Sequence, residues 1–137
     1  MSGTTTPLYN QDFVRSTIEL TLEFLSDISS SISFFSENIE KNELQRNILA
    51  KRLTQDISRF VELTTLLSKK VVVSQPHILK EIKDSHIHLL FIMKGIISAQ
   101  LKNDIIALEE LIKYELKDNL TQWKIHLIPK IKSVLNS

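Results

Sequence analysis

The chain has no cysteine, two glycines, three prolines and one tryptophan in 137 residues. Without cysteine there is no disulfide, no thiolate metal site and no cysteine nucleophile, and the composition suits a reducing compartment. With so few glycines, and Gly3 and Pro7 both near the start, the tight turns of a β-rich fold and the glycine-rich strand–helix turn of a dinucleotide-binding fold are disfavoured. No apolar run approaches the ~18 residues that span a bilayer; the longest, Leu89 to Met93, stops at Lys94. The N-terminus lacks the basic start and apolar run of a secretion signal, so a cytoplasmic location is expected.

A dense basic block is also missing. The net charge of +1 conceals an asymmetry: residues 1–43 hold seven acids against Arg15 and Lys41, and the remainder holds fifteen bases against nine acids. Scattered lysines of this kind do not make a nucleic-acid footprint. Opposite signs on early and late segments suit antiparallel packing of the first helix against later ones.

What the chain does contain is apolar residues at helical spacing, almost from end to end. Val14, Ile18, Leu22, Leu25, Ile28, Ile32, Phe35 and Ile39 follow one another in steps of three and four, as do Ile105, Leu108, Ile112, Leu116, Leu120, Trp123, Leu127, Ile131 and Val134. Such spacing paints one apolar face on each helix, and those faces must bury against each other. A first helix is expected from about Leu8 to Asn38, with Asn10 as cap, Asp12 in the first turn and residues 1–8 frayed. A second should run from about Glu43 to Lys70, with Leu49, Leu53, Ile57, Phe60, Leu63 and Leu67 on one face. A third should follow the Ser74-Gln75-Pro76 start signal as far as Leu101. From Ile87 to Ile97 it is apolar nearly all round, which predicts the most buried element. Gly95 in its middle suits a close approach by a neighbouring helix. Lys102-Asn103-Asp104 offers a turn and a cap, and the fourth helix runs from about Asp104 to near the end, kinked or broken by Pro129 near Ile125 to Ile128. Four rods of about 40–48 Å joined by short connections make a single all-α domain over residues 1–137, an antiparallel up-down-up-down four-helix bundle.

Two clusters are candidates for chemistry. His77, Glu81, Asp84 and His88 share one face of the third helix and could ligate zinc or iron, although the Glu-x-x-His pairs of di-iron bundles are absent; a solvated face is the plainer reading. Phe91-Ile92-Met93-Lys94-Gly95 follows the His-x-x-Lys-Gly pattern of histidine phosphotransfer domains, but phenylalanine stands where the phosphoryl-accepting histidine would be. No phosphate loop, nucleophile elbow or His-Glu-x-x-His motif occurs, so no catalytic residues and no cofactor are expected.

Two further segments point to partners. Ser26, Ser29, Ser30, Ser31, Ser33 and Ser36 crowd around Phe34 and Phe35, marking either a solvated face with close helix contact or a deformable segment whose two phenylalanines meet a partner. The C-terminal helix mixes Trp123 and Ile125 with Lys117, Lys124, Lys130 and Lys132; it can complete the core, lie on an anionic membrane, or border a groove that accepts an amphipathic helix.

The run Leu101-Lys102-Asn103-Asp104-Ile105-Ile106-Ala107-Leu108-Glu109-Glu110-Leu111, followed by Trp123, resembles the last helices of FliS-type flagellin export chaperones, and the stretch from Tyr114-Glu115-Leu116 to Trp123 also resembles small bacterial helical bundles. The Leu-Tyr-Asp-Gly signature of the chaperone family has no counterpart; the nearest run is Phe24-Leu25-Ser26-Asp27. The resemblance covers the last third of the chain and implies binding of an apolar helix of an export substrate in surface grooves. The expected function is therefore that of a non-enzymatic adaptor or chaperone-like bundle. Its partner contacts are expected at Phe34, Phe35, Tyr114 and Trp123, and the same surface could support a homodimer. A metal- or phosphoryl-handling bundle and a peripheral membrane protein are the alternatives.

Overall fold

A computed structural model describes the backbone of residues 2–71 and 75–136 and the side chains of residues 12–69 and 75–134. It contains four rods: α1 (Ser2–Asn38), α2 (Glu43–Val71), α3 (Pro76–Leu101) and α4 (residues 105–136), with no strand among the described residues. This is an all-α four-helix bundle. Of the expected caps, Asn10 lies inside α1 and so does not begin it, and Ser74 lies outside the described residues; the N-cap position of α3 is Gln75, which makes no side-chain capping bond. Because α1 begins ahead of Leu8, Asp12 sits inside the helix rather than in its first turn.

Cross-helix bonds set the direction of each neighbour. Asn47 pairs with Gln100 (3.0 Å) and Thr64 with His86 (2.6 Å), so α2 and α3 run antiparallel. Glu81 meets Lys130 (2.9 Å), Asn119 meets His88 (2.9 Å), and Gly95 lies under Leu111, so α3 and α4 do too. A Cβ on Gly95 would stand 2.9 Å from Leu111 Cδ1. Leu111 fills the space a side chain at position 95 would take, and its packing there offsets part of the roughly 1 kcal/mol that a helix-interior glycine costs relative to alanine.

The connections are specified locally. Asn42 Oδ1 accepts from the Gln45 N–H and starts α2 (3.1 Å). At the end of α3, Asn103 adopts a left-handed φ of 53°. The Asp104 N–H bonds to Ala99 O (2.8 Å) and the Asn103 N–H to Gln100 O (3.1 Å), the paired closure of a Schellman turn. Asp104 then caps α4 through Oδ1 and the Ala107 N–H (3.1 Å), so one three-residue turn ends one helix and begins the next.

The stripes read from the sequence form one core. Val14, Ile18, Leu25, Ile28, Ile32 and Phe35 of α1, and Ile39 just past its end, are buried with Leu49, Leu53, Ile57, Phe60 and Leu67 of α2 and with Leu108, Ile112, Leu116, Leu120, Trp123, Leu127 and Ile131 of α4. Threonines that fall on these faces keep their hydroxyls satisfied by bonding back one turn, Thr17 to Phe13 O (2.8 Å) and Thr21 to Thr17 O (2.7 Å).

Two expectations need correction. The Ile87–Ile97 segment is not buried all round. Leu89, Ile92 and Ile96 face the core, but Ile87 (67% exposed), Leu90, Phe91 (65%) and Ile97 face outward. A helix in a four-helix bundle has neighbours on its inner side only, so its outer third stays wet whatever residues occupy it. At Pro129 the helix is not simply broken. The missing donor is accommodated by a π-helical segment, Trp123–Leu127, directly ahead of the final α-helical stretch. A second π segment, Glu110–Leu116, interrupts α4 earlier. No helix among the described residues is long and apolar enough to cross a membrane.

Candidate functional site

Between α1 and α4 the bundle opens into a groove of about 740 Å³. Its floor is apolar, made by Leu22, Leu25 and Ile32 from α1 and by Leu120 and Ile125 from α4. The α1 wall is the serine cluster: Ser26, Ser29, Ser30, Ser33 and Ser36 all border the groove. Ser36 turns its hydroxyl back to Ile32 O (2.9 Å); Ser26, Ser29, Ser30 and Ser33 are exposed. The groove exists because these side chains are short, so α1 cannot fill the space opposite α4. The α4 wall carries Lys113, Lys117 and Lys124, and the single acid bordering the groove is Glu37. Lys113 is held near Glu109 (3.7 Å); Lys117 and Lys124 are exposed. From Leu22 to Glu37 the groove follows α1 for about 22 Å at 1.5 Å per residue.

The four residues expected to meet a partner divide. Phe34 and Tyr114 are about half exposed, at 46% and 57%. Phe34 stands next to the serine wall in sequence and Tyr114 next to Lys113, whose ammonium lies 5.8 Å from the Tyr114 ring. Phe35 and Trp123, by contrast, are fully buried. They are core residues, and a side chain sealed on all sides offers a partner nothing to touch. They shape the groove from behind by fixing α1 and α4.

The helix-three stripe is engaged with α4. Glu81 accepts a charge-assisted pair from Lys130 Nζ (2.9 and 3.0 Å), His88 Nδ1 accepts from Asn119 Nδ2 (2.9 Å), and His88 Nε2 lies 3.7 Å from Glu115. His77 and Asp84 are exposed. Residues spread over three turns of one helix do not converge on a point, and among the described residues no group of three or more His, Cys, Asp or Glu side chains is placed to hold a metal ion. The C-terminal helix likewise turns Leu116, Leu120, Trp123, Leu127, Ile128 and Ile131 into the core.

A polar chain that sequence periodicity could not reveal links α2, α3 and α4. Trp123 Nε1 donates to Ser85 Oγ (2.6 Å), and Ser85 Oγ donates to Asn119 Oδ1 (3.3 Å). His86 stacks on the Trp123 ring with centroids 5.7 Å apart and planes at 19°. The Thr64 hydroxyl donates to Phe60 O (2.9 Å), so His86 Nε2 is the donor to Thr64 Oγ1. Burial pushes the His86 pKa below its ordinary 6.5. The unfolded chain therefore takes up this proton first as pH falls. The stability linked to His86 is complete above about 6.5 and drains away as pH drops toward the lower folded value. Urea midpoints measured from pH 8 to 5 are expected to fall across that window, and His86→Gln should flatten the decline; an unchanged slope in the variant would contradict the assignment.

Compared with known proteins, the chain matches no family model, no curated relative and no solved structure.

Proposed function

We propose that the protein is a non-enzymatic binding module whose α1/α4 groove takes up an acidic amphipathic helix from a partner protein. The observation that carries this reading is the pairing of an apolar floor with one lysine wall and one serine wall in a groove that runs about four helical turns. A partner helix with apolar residues at i, i+3, i+4 and i+7 fits the floor. Carboxylates on its flank meet Lys117 and Lys124, while the small serines let its backbone approach α1. Charge complementarity of this kind sets register and speeds encounter. Helix capture in a surface groove is also what the export-chaperone resemblance implies, so substrate holding or adaptor action is the proposed role.

The test is a photoreactive residue at position 29, used to cross-link the native cell's partner through the groove. The trapped segment is expected to be amphipathic and acidic on one flank. Its synthetic peptide should bind Lys117→Glu/Lys124→Glu at least tenfold more weakly than wild type at low salt, a loss of about 1.4 kcal/mol or more, and the wild-type affinity should itself drop as salt rises. Equal binding by the charge-reversed variant would refute the groove as the site.

A further inference from the structure

The outer face of α3 repeats apolar residues at alternating steps of three and four: Ile87, Leu90, Lys94, Ile97 and Leu101, with Phe91 beside the seam. All six are exposed, Leu101 most of all at 84%. This is the spacing of a two-helix seam, and a lone lysine at one central position is a known device for fixing register. The core of the bundle does not use it, because Leu89, Ile92 and Ile96 on the opposite side do that work. The five apolar side chains present on the order of 600 Å², more than scattered surface residues do. With their polar rim they approach the ~800 Å² per partner of a stable interface.

From this face we infer that the protein forms a homodimer by antiparallel packing of α3 against α3 of a second copy. Self-pairing is favoured by the charges at its two ends. With a two-fold axis through the Leu90–Lys94 turn, Ile87 of one copy meets Ile97 of the other. Each Lys94 stem lies across the other copy's Leu90 and Phe91, with its ammonium at the rim. Exposed Asp84 then comes beside the second copy's Lys102 and exposed Lys80 beside its Asp104, while exposed Lys83, one turn before Ile87 on the same seam, lays its stem across the second copy's Leu101. A parallel pairing would instead oppose the two Lys94 ammoniums. The arrangement is isologous and closed, so it yields a dimer and no larger array. Because α3 lies diagonally across the bundle from α1, both α1/α4 grooves stay open in the dimer.

Sedimentation velocity of the full chain at about 100 µM is expected to give twice the 15.8 kDa protomer mass. Phe91→Glu/Ile97→Glu should sediment as a monomer while keeping its helical circular dichroism, since both side chains face outward; its thermal midpoint should fall only to that of the diluted, dissociated wild type. As the chain has no cysteine of its own, oxidising a mixture of Ile87→Cys and Ile97→Cys chains should give chiefly the mixed disulfide. A monomeric wild type, a dimer that survives the double substitution, or disulfides formed chiefly between chains of the same variant would each overturn the proposal.

Discussion

Replacing Trp123 with alanine is expected to destabilise the fold by about 3–5 kcal/mol. Trp123 is the largest fully buried side chain. Its indole meets Phe60 edge-on, with centroids 5.2 Å apart and planes at 89°, and stacks on His86 from another side. Removing it opens a cavity between α2, α3 and α4, and the surrounding rods, locked by their own stripes, can close it only in part. The substitution also leaves Ser85 Oγ without its indole donor, a contact of 2.6 Å. Trp123→Phe keeps most of the apolar body and loses the hydrogen bond, so its cost should be smaller, about 1–2 kcal/mol. Urea denaturation separates these outcomes: the midpoint should shift while the slope stays constant. As the chain's sole tryptophan, Trp123 also reports its own burial through blue-shifted fluorescence. An alanine variant within 1 kcal/mol of wild type would show that this junction does not hold the helices.

The second large effect is expected at Arg46, a charged residue only 4% exposed. Its guanidinium donates to Ile39 O in the α1–α2 turn (3.0 Å) and to Asn103 Oδ1 in the α3–α4 turn (3.0 Å). One side chain thus ties both turns at the same end of the bundle. Arg46→Ala removes two charge-assisted bonds and strands a backbone carbonyl, at a cost of about 2–4 kcal/mol. Arg46→Lys cannot restore both, because a single ammonium does not span the two acceptors as the planar fork does. Asn103→Gly retains the left-handed backbone and deletes only the acceptor. A double-mutant cycle between the two positions should therefore return a coupling of about 1 kcal/mol. Additive losses would mean that the two turns are stabilised independently.

Much of the core was legible because burial follows a period. Ile18, Ile32, Ile57, Leu108 and Ile131 each lie on the stripe that the sequence drew and are each buried. The Lys102–Asp104 turn was equally readable, since an Asn-Asp pair between two apolar patterns acts locally. The same logic failed where a helix has two apolar faces. Periodicity shows that Ile87, Leu90, Ile92 and Ile96 are all greasy and does not rank them, so the α3 segment was read as buried throughout. It failed again at Phe34 and Phe35, adjacent residues that point about 100° apart on the helix: one lies in the core and the other in water. The π segments of α4 left no mark that a search for steps of three and four could separate from ordinary helix.

From the sequence alone came the four rods, their turns and the inward stripes of α1, α2 and α4, because hydrophobic spacing and capping act within a few residues of one another. The groove belongs to the tertiary structure. Five serines and three lysines lie some eighty residues apart in the chain and become two walls of one cleft only when α1 and α4 pack side by side. The outward seam of α3 is decided in the same way: an apolar face becomes a surface only once the bundle has chosen the other face to hide.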